Sequence, residues 1–316
     1  MFFSGRRALR RLAPLAALPV VLTVVLTGCG STSAADDDTL HVLASFYPLQ
    51  LIAEQVGGDR VTVDSLTPPG AEPHDVELSP AQVSRIDRAD LVVYLSGFQA
   101  AVDEAVEQTS PEHVVDVADV EHLLTLEEEG TESHDDEAGE HDHGHGTLDP
   151  HFWLDPSRMP AAVDAVTDAL IEADPEGADE YRANADALNA RFDDLDQRYS
   201  AGLATCDTRT FVTSHEAFGY LAHRYDLHQV GISGLDPDAE PSPKRLAEVE
   251  DIARDKGVTT IFFEQLVSPK VARTLAADLG IDAAVLDPIE GVTGDADYFS
   301  VADHNLAALR VASSCS

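Results

Sequence analysis

Two blocks of alternating short strands and helices, separated by a long helical segment, are the sequence feature that most restricts the fold of this chain. The first block has apolar runs typical of buried strands at 40–44, 61–66, 91–95 and 114–115. The second block repeats the pattern, with strands predicted at 210–213, 227–230, 259–263 and 283–286. Segments with helical periodicity separate these runs. The alternation predicts an α/β protein of two lobes, each a mostly parallel sheet flanked by helices.

The segment between the blocks, residues 156–202, predicts helices, and the longest of them spans 175–201. Apolar side chains recur there at spacings of three and four, as one buried helix face requires: Tyr181, Ala185, Leu188, Phe192, Leu195 and Tyr199. Asp174 suits the N-cap position and Pro175 the first helical position. A helix of this length extends roughly 40 Å at 1.5 Å per residue. We therefore expect one long helix to bridge an N-terminal lobe, residues 40–155, and a C-terminal lobe, residues 203–316.

The first residues have the pattern of a secretory signal peptide at 1–28. Four arginines precede a short, proline-broken apolar run that is too short for a comfortable membrane span. The run ends in Leu-Thr-Gly-Cys, which resembles a bacterial lipobox with Cys29 as its lipidated residue; an ordinary signal peptide with an incidental cysteine is the alternative. Residues 29–39 are rich in Ser, Ala and Asp and predict a flexible tether. We expect an exported protein that acyl chains on Cys29 anchor to the membrane, facing outside the cytoplasm.

Cysteine count and charge narrow the environment and the partners. With Cys29 assigned to the anchor, Cys206 and Cys315 remain, and two such cysteines in an exported protein predict one disulfide. The formal net charge of −38 argues against a nucleic-acid partner, whose phosphates need Lys and Arg. The negative charge is compatible with attraction of cations, and also with the acidic surface of a halotolerant or high-GC organism.

Candidate metal ligands follow the ends of several predicted strands, where open α/β sheets bind their ligands. His74 follows the second strand, His215 the first strand of the second block, and Asp287 its last strand. Glu264 also follows a strand, and His151 lies just before a predicted helix. Three imidazoles and one carboxylate suit zinc, and three histidines favour zinc over manganese. These residues are far apart in the chain, so their spacing alone does not bring them together.

Residues 127–146 interrupt the strand–helix pattern. The segment is acidic, contains glycine and lacks any apolar period, which predicts a mobile loop. Its histidines are His134, His141, His143 and His145. Two interpretations stay open: an auxiliary metal-binding loop that collects zinc, or an acidic insert without that role.

Four motifs together resemble the periplasmic zinc-binding proteins of metal ABC transporters. They are Gly-x-Glu-Pro-His, Asp-Pro-His-x-Trp-Leu-Asp-Pro, Ser-His-x-Ala-Phe-Gly-Tyr and Leu-Asp-Pro-Ile, and they occur in the family's order between residue 40 and the C-terminus. The resemblance implies two α/β lobes joined by a rigid helix, and it implies as zinc ligands His74, His151, His215 and Asp287. It places Glu72 and Glu264 near the site as supporting or alternative carboxylates.

The resemblance also implies a function. Members of the family capture zinc between the lobes and deliver it to a membrane permease and its ATPase, so we expect a monomeric binding protein and no enzymatic activity. A metallochaperone is a further candidate partner. Alternatives are a manganese or iron binder of the same fold, an adhesin or zinc donor without a transporter, and a zinc-dependent hydrolase. The hydrolase is disfavoured because Asp287 would close the fourth ligand position and no second histidine follows His215 four residues on.

Overall fold

A computed structural model describes residues 39–125 and 148–316. The N-terminal lobe contains a parallel sheet of four strands in the order β2-β1-β3-β4. Its strands are β1 (Leu40–Ala44), β2 (Val61–Ser65), β3 (Leu91–Tyr94) and β4 (Val114–Asp116). The helices between them are α1 (Tyr47–Gly57), α2 (Pro80–Ile86) and α3 (Ala100–Thr109). The predicted alternation is confirmed in this lobe.

The C-terminal lobe repeats the same topology, with a second parallel sheet in the order β6-β5-β7-β8. Its strands are β5 (Thr210–Thr213), β6 (His228–Gly231), β7 (Thr260–Phe263) and β8 (Asp282–Val285). Its helices are α6 (Gly219–Arg224), α7 (Pro243–Lys256), α8 (Lys270–Leu279) and α9 (Tyr298–Ala312). Every residue of the central strands β5 and β7 is buried, as expected for parallel strands covered on both faces.

Helices α4 (Met159–Ala173) and α5 (Ala178–Gly202) connect the two sheets. The long helix starts slightly later than its pattern predicts, because Pro175–Gly177 forms a 3-10 turn before it. Asp174 caps this turn by accepting a hydrogen bond from the Glu176 amide. Arg60 and the Tyr181 hydroxyl also donate to Asp174, so the start of the long helix is attached to the N-terminal lobe.

Helix α5 contacts both lobes. Near its start, the Asn184 side chain donates to the Val56 carbonyl at the end of α1. Further along, Phe192 packs against Tyr298, and the Tyr199 hydroxyl donates to the Ala302 carbonyl in α9. Because buried side chains of both lobes and of α5 belong to one hydrophobic core, the lobes form a single packed body with little freedom for wide separation.

The predicted disulfide between Cys206 and Cys315 is present, and it joins the start of the C-terminal lobe to the last turn after α9. Within the described residues, no helix combines the length and the apolar character needed to cross a membrane. The predicted signal peptide, Cys29 and the His-bearing segment 127–146 with His134, His141, His143 and His145 lie outside the described residues, and so does nearly all of the tether.

Candidate metal centre

Three histidines and one glutamate converge between the two sheets. Their members are His74, His151, His215 and Glu290, and one potential ligand atom of each lies within 4.8 Å of all the others. The Nε2 atoms of His74 and His151 are 3.2 Å apart. Oε1 of Glu290 lies 3.3 Å from Nε2 of His74 and 3.2 Å from Nε2 of His151. Four potential donor atoms this close to one another form the arrangement expected of a metal centre.

Each lobe supplies two of the four side chains. His74 lies in the loop that follows β2, and His151 lies just before the 3-10 turn Phe152–Leu154. His215 lies two residues after the end of β5, and Glu290 lies in the loop between β8 and α9. The loops after the carboxyl ends of parallel strands lie at the same edge of a sheet, and these edges of the two sheets meet here. The site therefore lies where the lobes face each other.

The side chains of this group are largely buried. His151, His215 and Glu290 are each at most 1% exposed, whereas the His74 side chain is 13% exposed. Nε2 of His215 is buried and, among the described residues, has no hydrogen-bond partner. A buried polar nitrogen without a partner is costly, and a cation at the centre of the cluster would satisfy it.

Two buried carboxylates orient two of the imidazoles. Nδ1 of His151 lies 2.6 Å from Oδ1 of Asp149, and Nδ1 of His215 lies 2.8 Å from Oε1 of Glu264. Because a carboxylate only accepts, each imidazole donates from Nδ1, and in the neutral ring this leaves the lone pair of Nε2 for the centre of the cluster. Ser214 also donates to Glu264 and fixes that carboxylate. The sequence predicted no role for Asp149.

The electrostatics of the cluster favour a positive charge at its centre. Burial lowers the pKa of His215, but the Glu264 and Glu290 carboxylates outweigh it and raise this pKa to about 10. Burial raises the pKa of Glu290, but its interactions with the three histidine rings outweigh burial and hold this pKa well below its usual value. Protons and metal ions therefore compete for the same nitrogen atoms.

The loop that carries His74 is fixed by its own polar contacts. The Glu72 carboxylate accepts hydrogen bonds from the amides of His74 and Asp75, and burial raises the pKa of Glu72. The buried Gln99 side chain donates to the Pro73 carbonyl. Glu72 thus shapes the backbone around His74 rather than joining the four converging donors.

The fourth position differs from the sequence prediction, because the structure does not bring Asp287 into the cluster. Oδ1 of Asp287 accepts the Ile289 amide, and Oδ2 accepts from the Gln265 side chain. Burial raises the pKa of Asp287. Ile289 has a φ of 57°, a left-handed conformation that is rare for a β-branched residue. This turn directs Glu290 to the histidines. In the sequence, the only signal for Glu290 is its position three residues after Asp287.

Trp153 joins the loop of His151 to the opposite lobe. Its Nε1 donates to the Pro288 carbonyl at 2.7 Å, and its own carbonyl accepts from the Tyr298 hydroxyl. Because Pro288 lies in the loop that carries Glu290, these bonds hold the converging residues of the two lobes in register. Three imidazole nitrogens and one carboxylate oxygen are a donor set that zinc takes in tetrahedral geometry.

Several known proteins resemble this chain in sequence and in fold. The zinc-binding protein AdcA of Streptococcus pyogenes serotype M3 is 36% identical over 286 residues, which cover 86% of this chain and 56% of AdcA. The chain thus spans little more than half the length of AdcA. The high-affinity zinc uptake system protein ZnuA of Bacillus subtilis is 35% identical over 298 residues, which cover 91% of this chain and 93% of that protein.

A solved structure and a family model agree with these relatives. The Zn(II)-bound ZnuA-like domain of Streptococcus pneumoniae AdcA superimposes with a TM-score of 0.72 and 33% identity, covering 87% of this chain and 99% of that one. The model of the zinc-uptake complex component A periplasmic family matches residues 42–312. This chain is therefore a member of the family of periplasmic A components of zinc-uptake complexes.

Proposed function

We propose that this protein binds Zn²⁺ between its lobes and delivers it to the membrane permease of an ABC-type uptake system. The observation that carries the proposal is the convergence of His74, His151, His215 and Glu290, two from each lobe. The names of the relatives AdcA and ZnuA support zinc as the ion. The donor set supports it as well, because manganese prefers more oxygen ligands. Four protein donors also form a closed set, whereas catalytic zinc sites keep one position open.

The ligand set that we propose is the three histidines and Glu290, with Asp149 and Glu264 holding the imidazoles. Titration of the exported protein with zinc tests it. One tight site per chain is expected, and His151→Ala should abolish it, because this imidazole is fully buried among the other donors. Unchanged affinity in that variant would refute the ligand set. Elemental analysis of natively exported protein separates zinc from manganese and iron.

Release to the permease requires that the donors separate. Because two ligands belong to each lobe, a small shift of one lobe against the other would break the set, and the shared core leaves room only for small shifts. We propose that docking on the permease, which an ATPase powers, causes this shift. Growth in zinc-depleted medium should fail equally when either this protein or the permease is deleted; growth that survives loss of the permease would favour an adhesin or a zinc donor instead.

We further propose that the protein is exported, anchored through Cys29 and monomeric, with a metallochaperone as a candidate source of its zinc. The name of a relative from Streptococcus pneumoniae, zinc-binding lipoprotein AdcA, supports the anchor. A Cys29→Ser variant tests it, since this protein should move from the membrane fraction to the medium while it keeps its zinc affinity. Retention on the membrane would contradict lipidation at this residue.

A further inference from the structure

Tyr220 lies outside the converging donors, yet it contacts the chain segment that carries His151. It belongs to α6 in the C-terminal lobe and is fully buried. Its hydroxyl oxygen accepts a hydrogen bond from the Leu124 amide at 2.7 Å, and its hydroxyl donates to the Asp149 carbonyl at 2.8 Å. The Asp149 amide in turn donates to the Leu124 carbonyl at 2.8 Å. The Tyr220 hydroxyl of the C-terminal lobe thus holds together the two chain segments that contain Leu124 and Asp149.

Asp149 passes this contact on to a metal-facing imidazole. Its Oδ1 accepts the His151 amide at 2.8 Å and also lies 2.6 Å from Nδ1 of the same residue. Both Asp149 and His151 are fully buried, so water does not replace these bonds when one partner moves. The position of the Asp149 main chain therefore sets the direction of the His151 ring.

The Tyr220 ring itself has little freedom. The guanidinium of Arg158 lies 4.8 Å from the centre of the ring, a cation–π contact, and donates to the His122 carbonyl. Arg158 also pairs with the buried carboxylate of Glu121 at 3.6 Å. These contacts fix the hydroxyl at the junction of Leu124 and Asp149.

We propose that Tyr220 is a positioning residue for the metal site: acting through Asp149, it makes the orientation of His151 depend on the contact between the lobes. This inference rests on the proposed function of zinc binding. Movement of α6 away from the N-terminal lobe breaks both bonds of the hydroxyl, turns His151 away from Glu290 and lowers the affinity for zinc. Release of zinc then needs no other molecule that competes with the protein for the metal.

The test compares Tyr220→Phe with Tyr199→Phe. Each substitution removes one hydroxyl from a tyrosine at most 2% exposed, but the Tyr199 hydroxyl donates to the Ala302 carbonyl in α9, away from the site. We expect Tyr220→Phe to weaken zinc binding by about 10–100-fold, as loss of groups that orient a ligand does, chiefly through faster dissociation. Tyr199→Phe should keep the affinity within about twofold while it loses a similar degree of thermal stability.

Equal affinity of Tyr220→Phe and the unsubstituted protein would overturn the inference, since a merely structural hydroxyl affects stability alone. That result would leave the proposed function standing as long as His151→Ala abolishes binding. An unsubstituted protein that binds no zinc would instead overturn the proposed function.

A measurement on the unsubstituted protein keeps the test independent of how well the variant folds. Zinc should slow hydrogen exchange of the Leu124 and Asp149 amides by at least about tenfold, because the metal fixes His151 and, through it, the bonds to Tyr220. Exchange at these two amides that does not respond to zinc would contradict the coupling.

Discussion

Oε1 of Glu290, in the C-terminal lobe, lies 3.2 Å from Nε2 of His151, in the N-terminal lobe. The two residues are 139 positions apart in the chain, and both are almost completely buried. Since Nδ1 of His151 donates a hydrogen bond to the Asp149 carboxylate, Nε2 of the neutral ring presents a lone pair to the same space that the Glu290 carboxylate faces. A cation between these atoms attracts both, so binding also draws the lobes together.

Substitution of Glu290 is the most direct test of the fourth ligand. Glu290→Gln should weaken zinc binding by about a hundredfold or more, because loss of a direct ligand costs more than the 10–100-fold typical of groups that only orient ligands. Asp287→Asn is the matched control: it also neutralises a buried carboxylate in the same loop, and it should retain affinity within about tenfold. Competition with a zinc chelator measures both. A larger loss for Asp287→Asn would assign the fourth ligand to Asp287.

Zinc binding should release a proton from His215 at pH 8. The pKa of this imidazole in the folded protein is about 10, so it is protonated at pH 8, whereas coordination needs a neutral nitrogen. The apparent affinity should therefore rise with pH by up to about tenfold per unit until pH 10 and then level off. Calorimetry in buffers of different ionisation enthalpy counts the protons. Binding at pH 8 without proton release would show that His215 is neutral or does not coordinate.

Glu264→Gln should change this proton count. The Glu264 carboxylate raises the pKa of His215, so its loss lowers that pKa and reduces proton release at pH 8. At pH 10, where protons compete less, the variant should bind zinc about 10–100-fold more weakly because the imidazole loses its orienting acceptor. Calorimetry at the two pH values separates the effects. Unchanged affinity at pH 10 would mean that Glu264 does not position His215.

The disulfide should stabilise the fold without affecting the site. Cys206 and Cys315 are 109 residues apart in sequence, and a closed loop of about 100 residues contributes about 4.7 kcal/mol in the chain-entropy model, with about 2–5 kcal/mol typical of native bridges. Replacing both cysteines by serine should lower the free energy of unfolding by about 2–5 kcal/mol, as denaturant titration would measure. Zinc affinity should not change, because Cys206 precedes β5 and so lies at the sheet edge opposite His215. A large loss of affinity would show that the bridge influences the cleft.

The local patterns of this sequence carry most of the information about its architecture. The two parallel sheets follow from the alternation of short apolar runs with helical segments, because strand and helix periodicities are local properties of the chain. The long helix follows from the spacing of one apolar stripe, and every residue of that stripe is buried: Tyr181, Ala185, Leu188, Phe192, Leu195 and Tyr199. The disulfide follows from the number of cysteines. The strand and helix patterns depend on residues that are near one another in sequence. The disulfide was predictable because, with Cys29 assigned to the anchor, Cys206 and Cys315 had no other partner.

The identity of the fourth donor depends on the tertiary structure. From the sequence, Asp287 is the natural candidate because it directly follows the strand predicted at 283–286, but its two oxygens accept from the Ile289 amide and the Gln265 side chain. The left-handed turn at Ile289 then presents Glu290 to three histidines from distant segments. Asp149 and Tyr220 likewise acquire their roles only through contacts across the chain and between the lobes. A position just after a strand makes a residue a candidate for the site. The direction of its side chain is set by backbone turns and buried hydrogen bonds, which no local sequence pattern records.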